Sequence, residues 1–234
     1  IQVPDKKKNF DAEFDTAAGA YVAQPKVGMH DWVCSMDLNS LYPSVIRALN
    51  MGPETIIGQL RLNRTHDMIR KKMNNKATFA EAWEGVFNTL EYDLVQERDI
   101  AEKITVDWES GETDQYTGAE IYDAVFLQNK SWAISANGTI FRCDTKGVVP
   151  TLLERWYAER TEMQKNLQNA IDVGDKEKIE FWDKRQLVKK INLNSLYGAI
   201  LNQGSRFFDL RMGQSVTLTG RSIARHMAAE VNKV

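Results

Sequence analysis

The sequence predicts an α+β fold in which short antiparallel strands with helices precede a long antiparallel pair of helices. An Asn-Gly dipeptide at 137–138 separates two apolar runs, which is the strongest two-residue signal for a β-hairpin. Apolar residues at helical spacing recur from about 152 to 171 and again from about 176 to 201. A Val-Gly-Asp break at 173–175 separates these two runs, so the helices are expected to form a hairpin roughly 30–40 Å long.

The segment before the first helix is expected to contribute two short strands, at 19–25 and 32–36, separated by a Pro/Gly turn. At Asp37 the pattern changes. Pro43 suits the first turn of a helix that extends to Asn50, because a first turn leaves its N–H groups unbonded and proline has none. Asp37 is therefore expected at the junction between a strand and a helix.

Residues 60–130 carry the weakest patterns of the chain. Short elements are expected here: helices near 66–73, 78–89 and 118–128, and a small hairpin that starts with a strand at 104–108.

Each long helix carries an apolar stripe. The stripe of the first helix is predicted as Leu153, Trp156, Met163, Leu167 and Ile171, and that of the second as Ile179, Trp182, Leu187 and Ile191. Arg160 interrupts the first stripe, and a charge in such a position needs a partner. An anionic ligand between the helices or a glutamate such as Glu180 would supply one, and the sequence leaves both possibilities open.

The composition is that of an ordinary globular protein, with 234 residues, 43% of them hydrophobic and 26% charged. No run of about 18 apolar residues occurs, so a membrane span is not expected. Cys34 and Cys143 lie in apolar segments without the spacing of metal ligands. Both are interpreted as reduced core residues of a cytoplasmic protein, and a zinc site is not expected.

The charge is unevenly distributed, although the net charge is only −2. Residues 1–150 carry 16 basic and 22 acidic residues, whereas the chain from Lys184 onward carries 9 basic and 2 acidic residues. The basic stretch indicates either an anionic partner or a solvated helix face, and charge alone does not separate the two.

The first polar motif is Asp-Leu-Asn-Ser-Leu-Tyr-Pro-Ser at 37–44. A carboxylate at a strand end suits a hard cation such as Mg²⁺. The backbone N–H groups from Asn39 to Tyr42 lead into a helix N-terminus, which is a natural cradle for a triphosphate. An aspartate before a helix is more often a cap, so the motif alone leaves capping and metal binding open.

The second polar motif is Lys-Lys-Ile-Asn-Leu-Asn-Ser-Leu-Tyr-Gly at 189–198. Lys190, Asn194 and Tyr197 lie at i, i+4 and i+7 and therefore share one helix face. This face could hold phosphates and stack a base or sugar, or it could be a solvated polar face. Gly198 disfavours the second possibility, because glycine within a helix costs about 1 kcal/mol and permits close approach of a partner.

Together the two motifs resemble the A and B motifs of the family B DNA polymerases. They occur in the expected order, and the second lies on a long helix. Flanking segments at 44–58, 137–150 and 206–211 are similar to the T-even-like bacteriophage replicative polymerases. The resemblance runs from about Gly19 to the C-terminus and is weakest over 60–130.

The resemblance implies a partial palm domain and a fingers hairpin. Residues 1–150 would be the N-terminal part of the palm with an insertion at about 60–130, residues 151–201 the fingers, and residues 202–234 the return to the palm. A second metal-binding motif of the Tyr-Gly-Asp-Thr-Asp type would follow the B motif and is absent. The chain is therefore expected to be a fragment that lacks the exonuclease domain, the thumb and the rest of the palm.

The resemblance also implies roles for residues of the first motif. Asp37 would bind the two Mg²⁺ ions of the complete enzyme, and the carbonyl of Leu38 would add a ligand. Ser40 and Leu41 would offer backbone amides to the triphosphate. Tyr42 would be the steric gate that selects dNTP over rNTP by excluding a 2′-hydroxyl.

In the hairpin, the resemblance implies that Arg160, Lys190 and Asn194 grip the triphosphate of the incoming dNTP. Lys190 would also donate a proton to the leaving pyrophosphate. Tyr197 and Gly198 would form the surface that checks the nascent base pair.

The expected function is that of a fragment of a DNA-directed DNA polymerase, which binds dNTP, Mg²⁺ and primer–template DNA and uses a two-metal mechanism. Alone it is expected to be inactive, because one metal-binding aspartate cannot build a two-metal site. One alternative is a non-catalytic nucleotide- or DNA-binding subunit of a split polymerase. Another is a globular α+β domain in which the motifs are accidental.

Overall fold

The computed structural model describes residues 20, 22, 26–61, 103–127 and 132–232. The helices predicted at 66–73 and 78–89, and most of the strand predicted at 19–25, lie outside the described residues.

The described chain contains five α-helices, one π-helical segment and five strands. The helices are α1 (Leu41–Ala48), α2 (Gly118–Tyr122), α3 (Val148–Val173), α4 (Lys176–Ile200) and α5 (Leu210–Val231), and the π-helical segment is Asp123–Leu127. The strands are β1 (Ile56–Arg61), β2 (Lys103–Trp108), β3 (Thr113–Thr117), β4 (Trp132–Ile134) and β5 (Thr139–Arg142). The predicted α+β fold class is confirmed. None of the described helices has both the length and the apolar character needed to cross a membrane.

The five strands form one antiparallel sheet in the order β3-β2-β1-β5-β4. In the central strand β1, Gly58 lies opposite Trp108 of β2 and Ile140 of β5. The two predicted hairpins are both present, as β2–β3 and β4–β5. At the β4–β5 turn Gly138 has a φ of +80°, a conformation that favours glycine and explains the Asn-Gly signal.

Two hydrophobic clusters hold these elements together. The larger one lies where α1, α3, α4 and α5 meet, and it includes Val45, Ile46, Met51, Phe141, Leu153, Leu193, Ile200, Met212 and Val216. The smaller one is built on the sheet and consists of Leu60, Ile104, Val106, Ile121 and Ile140. Burying one such side chain contributes about 1.5–3 kcal/mol to the stability of the fold. The larger cluster is therefore the main contribution that holds the four helices in place relative to one another.

α3 and α4 form the predicted helical hairpin. Gly174, with a φ of +74°, ends α3, and the Asp175 side chain caps α4 by accepting a hydrogen bond of 3.1 Å from the Lys178 N–H. An ion pair between Glu159 and Lys189 fixes the register of the two helices. The break predicted at 173–175 is thus the turn of the hairpin.

The apolar stripe predicted for α4 is wrong in part. Leu187 and Ile191 are exposed, whereas Leu193 and Ile200 are buried in the larger cluster. Successive residues of a helix are turned by about 100°, so Leu193 faces away from both exposed residues. Ile171 on α3 is also exposed, and the neighbouring Ala170 takes the buried position.

The strand predicted at 32–36 is not present. Residues 33–38 have no regular secondary structure. The Trp32 side chain is fully exposed, and that of Val33 is 77% exposed. A strand must bond its backbone to a neighbouring strand, and the described sheet places none beside this segment. The prediction that Asp37 lies at a strand end is therefore also wrong.

The prediction that Cys34 and Cys143 are core residues is wrong as well. Both are free and exposed in the structure. Cys34 lies in the irregular segment before α1, and Cys143 directly follows β5. Apolar neighbours in the sequence do not bury a side chain when no second element packs over it. The cytoplasmic location inferred from them stays a prediction.

Asn50 connects the end of α1 to the start of α3. Its side-chain amide donates hydrogen bonds to the carbonyls of Arg142 (2.7 Å) and Thr145 (2.9 Å), and its Oδ1 accepts one from the Gly147 N–H (2.9 Å). Asn50 is 7% exposed, so these bonds are shielded from water. α1, which contains part of the first polar motif, is thus tied to the start of α3, which carries Arg160.

Hydrogen bonds between buried side chains dock α5 on the β4–β5 hairpin. Asn137 Oδ1 lies 2.6 Å from Ser135 Oγ and 2.8 Å from Ser215 Oγ. The Asn137 amide nitrogen donates to the Arg211 carbonyl at 3.0 Å. The position of α5 relative to the sheet is thus set by a polar network as well as by apolar packing.

Candidate functional site

The N-terminus of α1 carries backbone amides that its cap residue leaves unbonded. Ser40, directly before the helix, has a left-handed conformation with a φ of +54° and makes no side-chain capping bond within the described structure. Its Oγ lies 3.3 Å from Asn39 Oδ1 instead. The first-turn amides of Leu41 and Tyr42 and the positive end of the helix dipole favour a bound anion at this position.

Asp37 is exposed in the irregular segment before α1, and Leu38 is half-buried next to it. In the part of the chain that the structure describes, no three His, Cys, Asp or Glu side chains are grouped so that they could hold a metal ion. Mg²⁺ is bound by one or two carboxylates together with substrate phosphates, and a two-ion site needs more than one carboxylate. The described residues do not fit a complete two-ion site.

The structure brings the two polar motifs together at Tyr42 and Tyr197. Their ring centroids are 4.9 Å apart, with an angle of 52° between the ring planes. Both rings are half-buried and pack against the larger hydrophobic cluster. A tilted aromatic pair at this distance contributes about 0.5–1.5 kcal/mol beyond its buried area. Tyr42 of the first polar motif and Tyr197 of the second therefore lie in the same candidate site.

Burial raises the pKa of both phenols. It raises the pKa of Tyr197 to about 12, with Tyr42 adding to the increase and a hydrogen bond with Thr217 opposing it. Burial also raises the pKa of Tyr42, and the positive charge of Arg221 opposes that effect. Both side chains are therefore neutral near pH 7, and their rings form an uncharged surface.

A third element of the site, α5, carried no recognised motif in the sequence. Thr217 is hydrogen-bonded to Tyr197, and Arg221, 6% exposed, lies close enough to Tyr42 to affect its pKa. Gly220 lies against the Tyr42 ring. A glycine within a helical pattern often marks close approach of another group, and this was the local signal that could have pointed to α5.

The polar face that was predicted for the second motif is present on α4. Lys190, Asn194 and Gly198 are exposed, and Tyr197 is half-buried. A Cβ on Gly198 would meet no atom from beyond its own stretch of helix within 4 Å, so there is open space at Gly198. The face runs from the buried base of the helix toward the solvent and is accessible to a ligand.

Arg160 lies half-buried on α3, and its Nε is a buried donor without a hydrogen-bond acceptor within the described structure. Glu180, the alternative partner, is paired with a lysine of its own helix. The ion pair between Glu159 and Lys189 places Arg160 at the level of the lysines at 189–190. Leaving a buried guanidinium donor unbonded costs about 1–3 kcal/mol, and a bound anion would remove that cost.

In comparisons with known proteins, the family model and the relatives described below are all DNA polymerases. A model described as DNA polymerase family B matches residues 1–234. The chain is 28% identical over 232 residues to the DNA-directed DNA polymerase of Enterobacteria phage T4, covering 92% of the chain and 24% of that relative. It is 27% identical over 221 residues to that of Escherichia phage RB69, covering 92% and 23%. It is 26% identical over 210 residues to the DNA polymerase of Orf virus, covering 89% and 17%. The chain thus spans about a quarter or less of the length of these relatives.

Proposed function

The chain belongs to DNA polymerase family B, and on that premise we propose that it is the part of a DNA-directed DNA polymerase that receives the incoming dNTP beside primer–template DNA. The observation that carries the proposal is the contact between Tyr42 and Tyr197, with ring centroids 4.9 Å apart. It joins the amides at the start of α1 and the exposed face of α4 into one surface. A nucleotide on that surface would meet phosphate-binding groups and aromatic rings together.

We also propose the domain organisation expected from the sequence. Residues 1–150 would belong to the palm, with an insertion at about 60–130, and residues 151–201 to the fingers, which contain most of the α3–α4 hairpin. Residues 202–234 would return to the palm. Because the chain spans about a quarter of its phage relatives, the exonuclease domain, the thumb and the rest of the palm would come from outside it.

For the triphosphate, the proposed ligands come from both halves of the site. The backbone amides of Ser40 and Leu41 would donate hydrogen bonds to phosphate oxygens at the start of α1. Arg160, whose Nε lacks an acceptor, would bind a further phosphate together with Lys190 and Asn194. Lys190 is exposed and free to approach the leaving pyrophosphate, to which it would donate a proton.

For the sugar and base, the proposed contacts are aromatic. The Tyr42 ring would lie under the sugar and leave no room for a 2′-hydroxyl, so that dNTP is selected over rNTP. Tyr197 and the open space at Gly198 would lie against the nascent base pair.

Mg²⁺ is the metal that this chemistry would use, and it would neutralise the phosphate charge and position the reacting oxygens. Asp37 and the carbonyl of Leu38 would be the ligands from this chain. Since these two do not complete a site, further carboxylates would have to come from the rest of the polymerase.

Binding of dATP to the 234-residue chain, measured by isothermal titration calorimetry in Mg²⁺, tests the proposal. Arg160→Ala and Lys190→Ala each remove a charged donor and are expected to weaken binding by about tenfold or more, because charge-assisted hydrogen bonds contribute about 1.5–3 kcal/mol. Lys184→Ala is the matched control, because Lys184 is an exposed lysine of the same helix that pairs with Glu180. Equal affinities for all four proteins would contradict the proposal.

The alternative, a non-catalytic nucleotide- or DNA-binding subunit of a split polymerase, is favoured because the described residues contain no group of three His, Cys, Asp or Glu side chains that could hold a metal ion. The two functions predict the same nucleotide binding. They differ in the coding sequence downstream of Val234: an in-frame continuation supports a single polymerase chain, and a stop codon supports a subunit.

A further inference from the structure

We propose that Gly220 of α5 is a specificity-determining position, because its missing side chain sets how far the Tyr42 ring projects toward the nucleotide sugar. The inference rests on the proposed function of Tyr42 as the gate. It adds a positioning residue on an element that contains neither polar motif.

Gly220 is in close contact with the ring. A Cβ built at Gly220 would lie 2.9 Å from Cε1 and 3.3 Å from Cδ1 of Tyr42, and 3.6 Å from Cδ2 of Leu41. Carbon atoms pack at about 3.5–4.0 Å, so a methyl group and the ring cannot both keep their present positions. The position of the ring thus depends on the absence of a side chain at Gly220.

The backbone conformation at position 220 does not require a glycine. Gly220 lies inside the regular helix α5 and is not among the glycines with positive φ, so its conformation is open to any residue. A glycine in a helix interior is less stable than an alanine, because its backbone loses more freedom on folding. The contact with Tyr42 is the feature that requires it.

The direction of the displacement follows from burial. Gly220 and Arg221 are buried and α5 is fixed by the Asn137 network, whereas Tyr42 is only half-buried. A methyl group at Gly220 therefore pushes the ring away from α5, toward the open side where the sugar would lie. The Tyr197 ring, with its centroid 4.9 Å away, limits sideways movement.

Gly220→Ala is therefore expected to narrow the sugar pocket. In the 234-residue chain it should raise the Kd for dATP by about tenfold, while ATP, already excluded by the gate, is bound no better than before. It should also lower the melting temperature by about 3 °C, because the ring is displaced from its packing.

Removing the ring should abolish both effects. In a Tyr42→Ala background the methyl group has room, so Gly220→Ala should leave the Kd for dATP unchanged and should no longer lower the melting temperature, which the higher helix propensity of alanine is expected to raise slightly. Two further variants serve as controls. Gly213→Ala makes the same change on the same helix but against Leu201, where a Cβ would come within 1.8 Å of Cδ2, so it should lower stability without changing the dATP/ATP ratio. Ala229→Ser adds one atom at an exposed position of α5 and should change neither.

The outcomes separate the inference from the proposed function. Suppose that Tyr42→Ala relaxes the dATP/ATP preference. If Gly220→Ala then changes the Kd for dATP equally in the presence and absence of the Tyr42 ring, or changes it in neither case, the role of Gly220 is overturned and the role of Tyr42 as the gate stands. If Tyr42→Ala leaves the preference unchanged, or the unsubstituted chain binds no dATP, the gate and this inference both fail. If Gly220→Ala does not fold, the double variant with Tyr42→Ala decides, since the inference requires it to fold.

Discussion

The ring of Tyr42, on the first turn of α1, packs against the ring of Tyr197, near the end of α4, with a centroid distance of 4.9 Å. The two residues are far apart in the sequence and belong to different motifs. Their contact is supported from a third side by α5, through the Thr217 hydrogen bond to Tyr197 and the close approach of Gly220 to Tyr42. A displacement of any of the three helices would therefore change the shape of the candidate nucleotide site.

The first prediction concerns the gate. In a polymerase completed with its remaining domains, Tyr42→Ala opens the space that a 2′-hydroxyl would need, so discrimination against ribonucleotides should fall by at least tenfold. The measurement is the ratio of kcat/KM for dNTP and rNTP in primer extension. Tyr157→Ala, which removes a tyrosine on α3 outside the proposed gate, is the control. An unchanged ratio for Tyr42→Ala would refute the role.

A second prediction follows from the pKa of Tyr197, which burial raises from 10.0 to about 12. In the folded chain Tyr197 should ionise at higher pH than in the unfolded chain. An absorbance titration at 295 nm would detect this difference, if it is carried out on the native and the denatured protein, each with and without the Tyr197→Phe substitution. The neutral phenol is favoured by folding, so the stabilisation is present below pH 10 and is lost as the pH rises through about 12. With allowance for partial solvent exposure, the loss is about 1–2 kcal/mol. A native titration of Tyr197 near pH 10 would contradict this.

A third prediction concerns Asn137, which is 7% exposed and holds the β4–β5 turn against α5. Asn137→Ala removes its hydrogen bonds to Ser135, Ser215 and the Arg211 carbonyl, so the free energy of unfolding should fall by about 1–3 kcal/mol. Urea denaturation would measure it. Asn169→Ala, at an exposed position of α3, should change the stability by less than about 0.5 kcal/mol. Similar stabilities for the two variants would show that the network does not hold α5.

The fourth prediction is that the chain alone does not extend a primer. Its described residues offer Asp37 as the carboxylate of the site and no cluster that could hold a metal ion, so the charge and geometry of a two-ion centre are incomplete. Primer extension in ordinary Mg²⁺ buffers is the assay, with a complete family B polymerase as the positive control. Measurable extension by the purified chain would show that the site is complete without further domains.

Elements with strong local chemistry were predictable from the sequence. The break at 173–175 is the turn of the long hairpin because Gly174 adopts a positive φ and Asp175 caps the next helix. The Asn-Gly turn and the helix after Pro43 follow from equally local preferences. Motif spacing also placed Lys190, Asn194 and Tyr197 on one helix face, because helical periodicity is fixed once the helix forms.

Features that depend on a neighbouring element could not be predicted in this way. The apolar run at 32–36 has the composition of a strand, but no described strand pairs with it, and Cys34 within it is exposed. On α4 the apolar residues are spread over several faces, and packing into the larger hydrophobic cluster decided that Leu193 is buried and Leu187 is not.

The sequence by itself determined the helical hairpin, the β-hairpins, the family and the residues of the two motifs, because periodicity, turn chemistry and motif spacing are local properties of the chain. Only the tertiary structure decided that Tyr42 and Tyr197 touch and that Gly220 makes room for one of them. These contacts join α1 to α4 and α5, which lie far from it in the sequence, and their geometry is set by how the shared core packs.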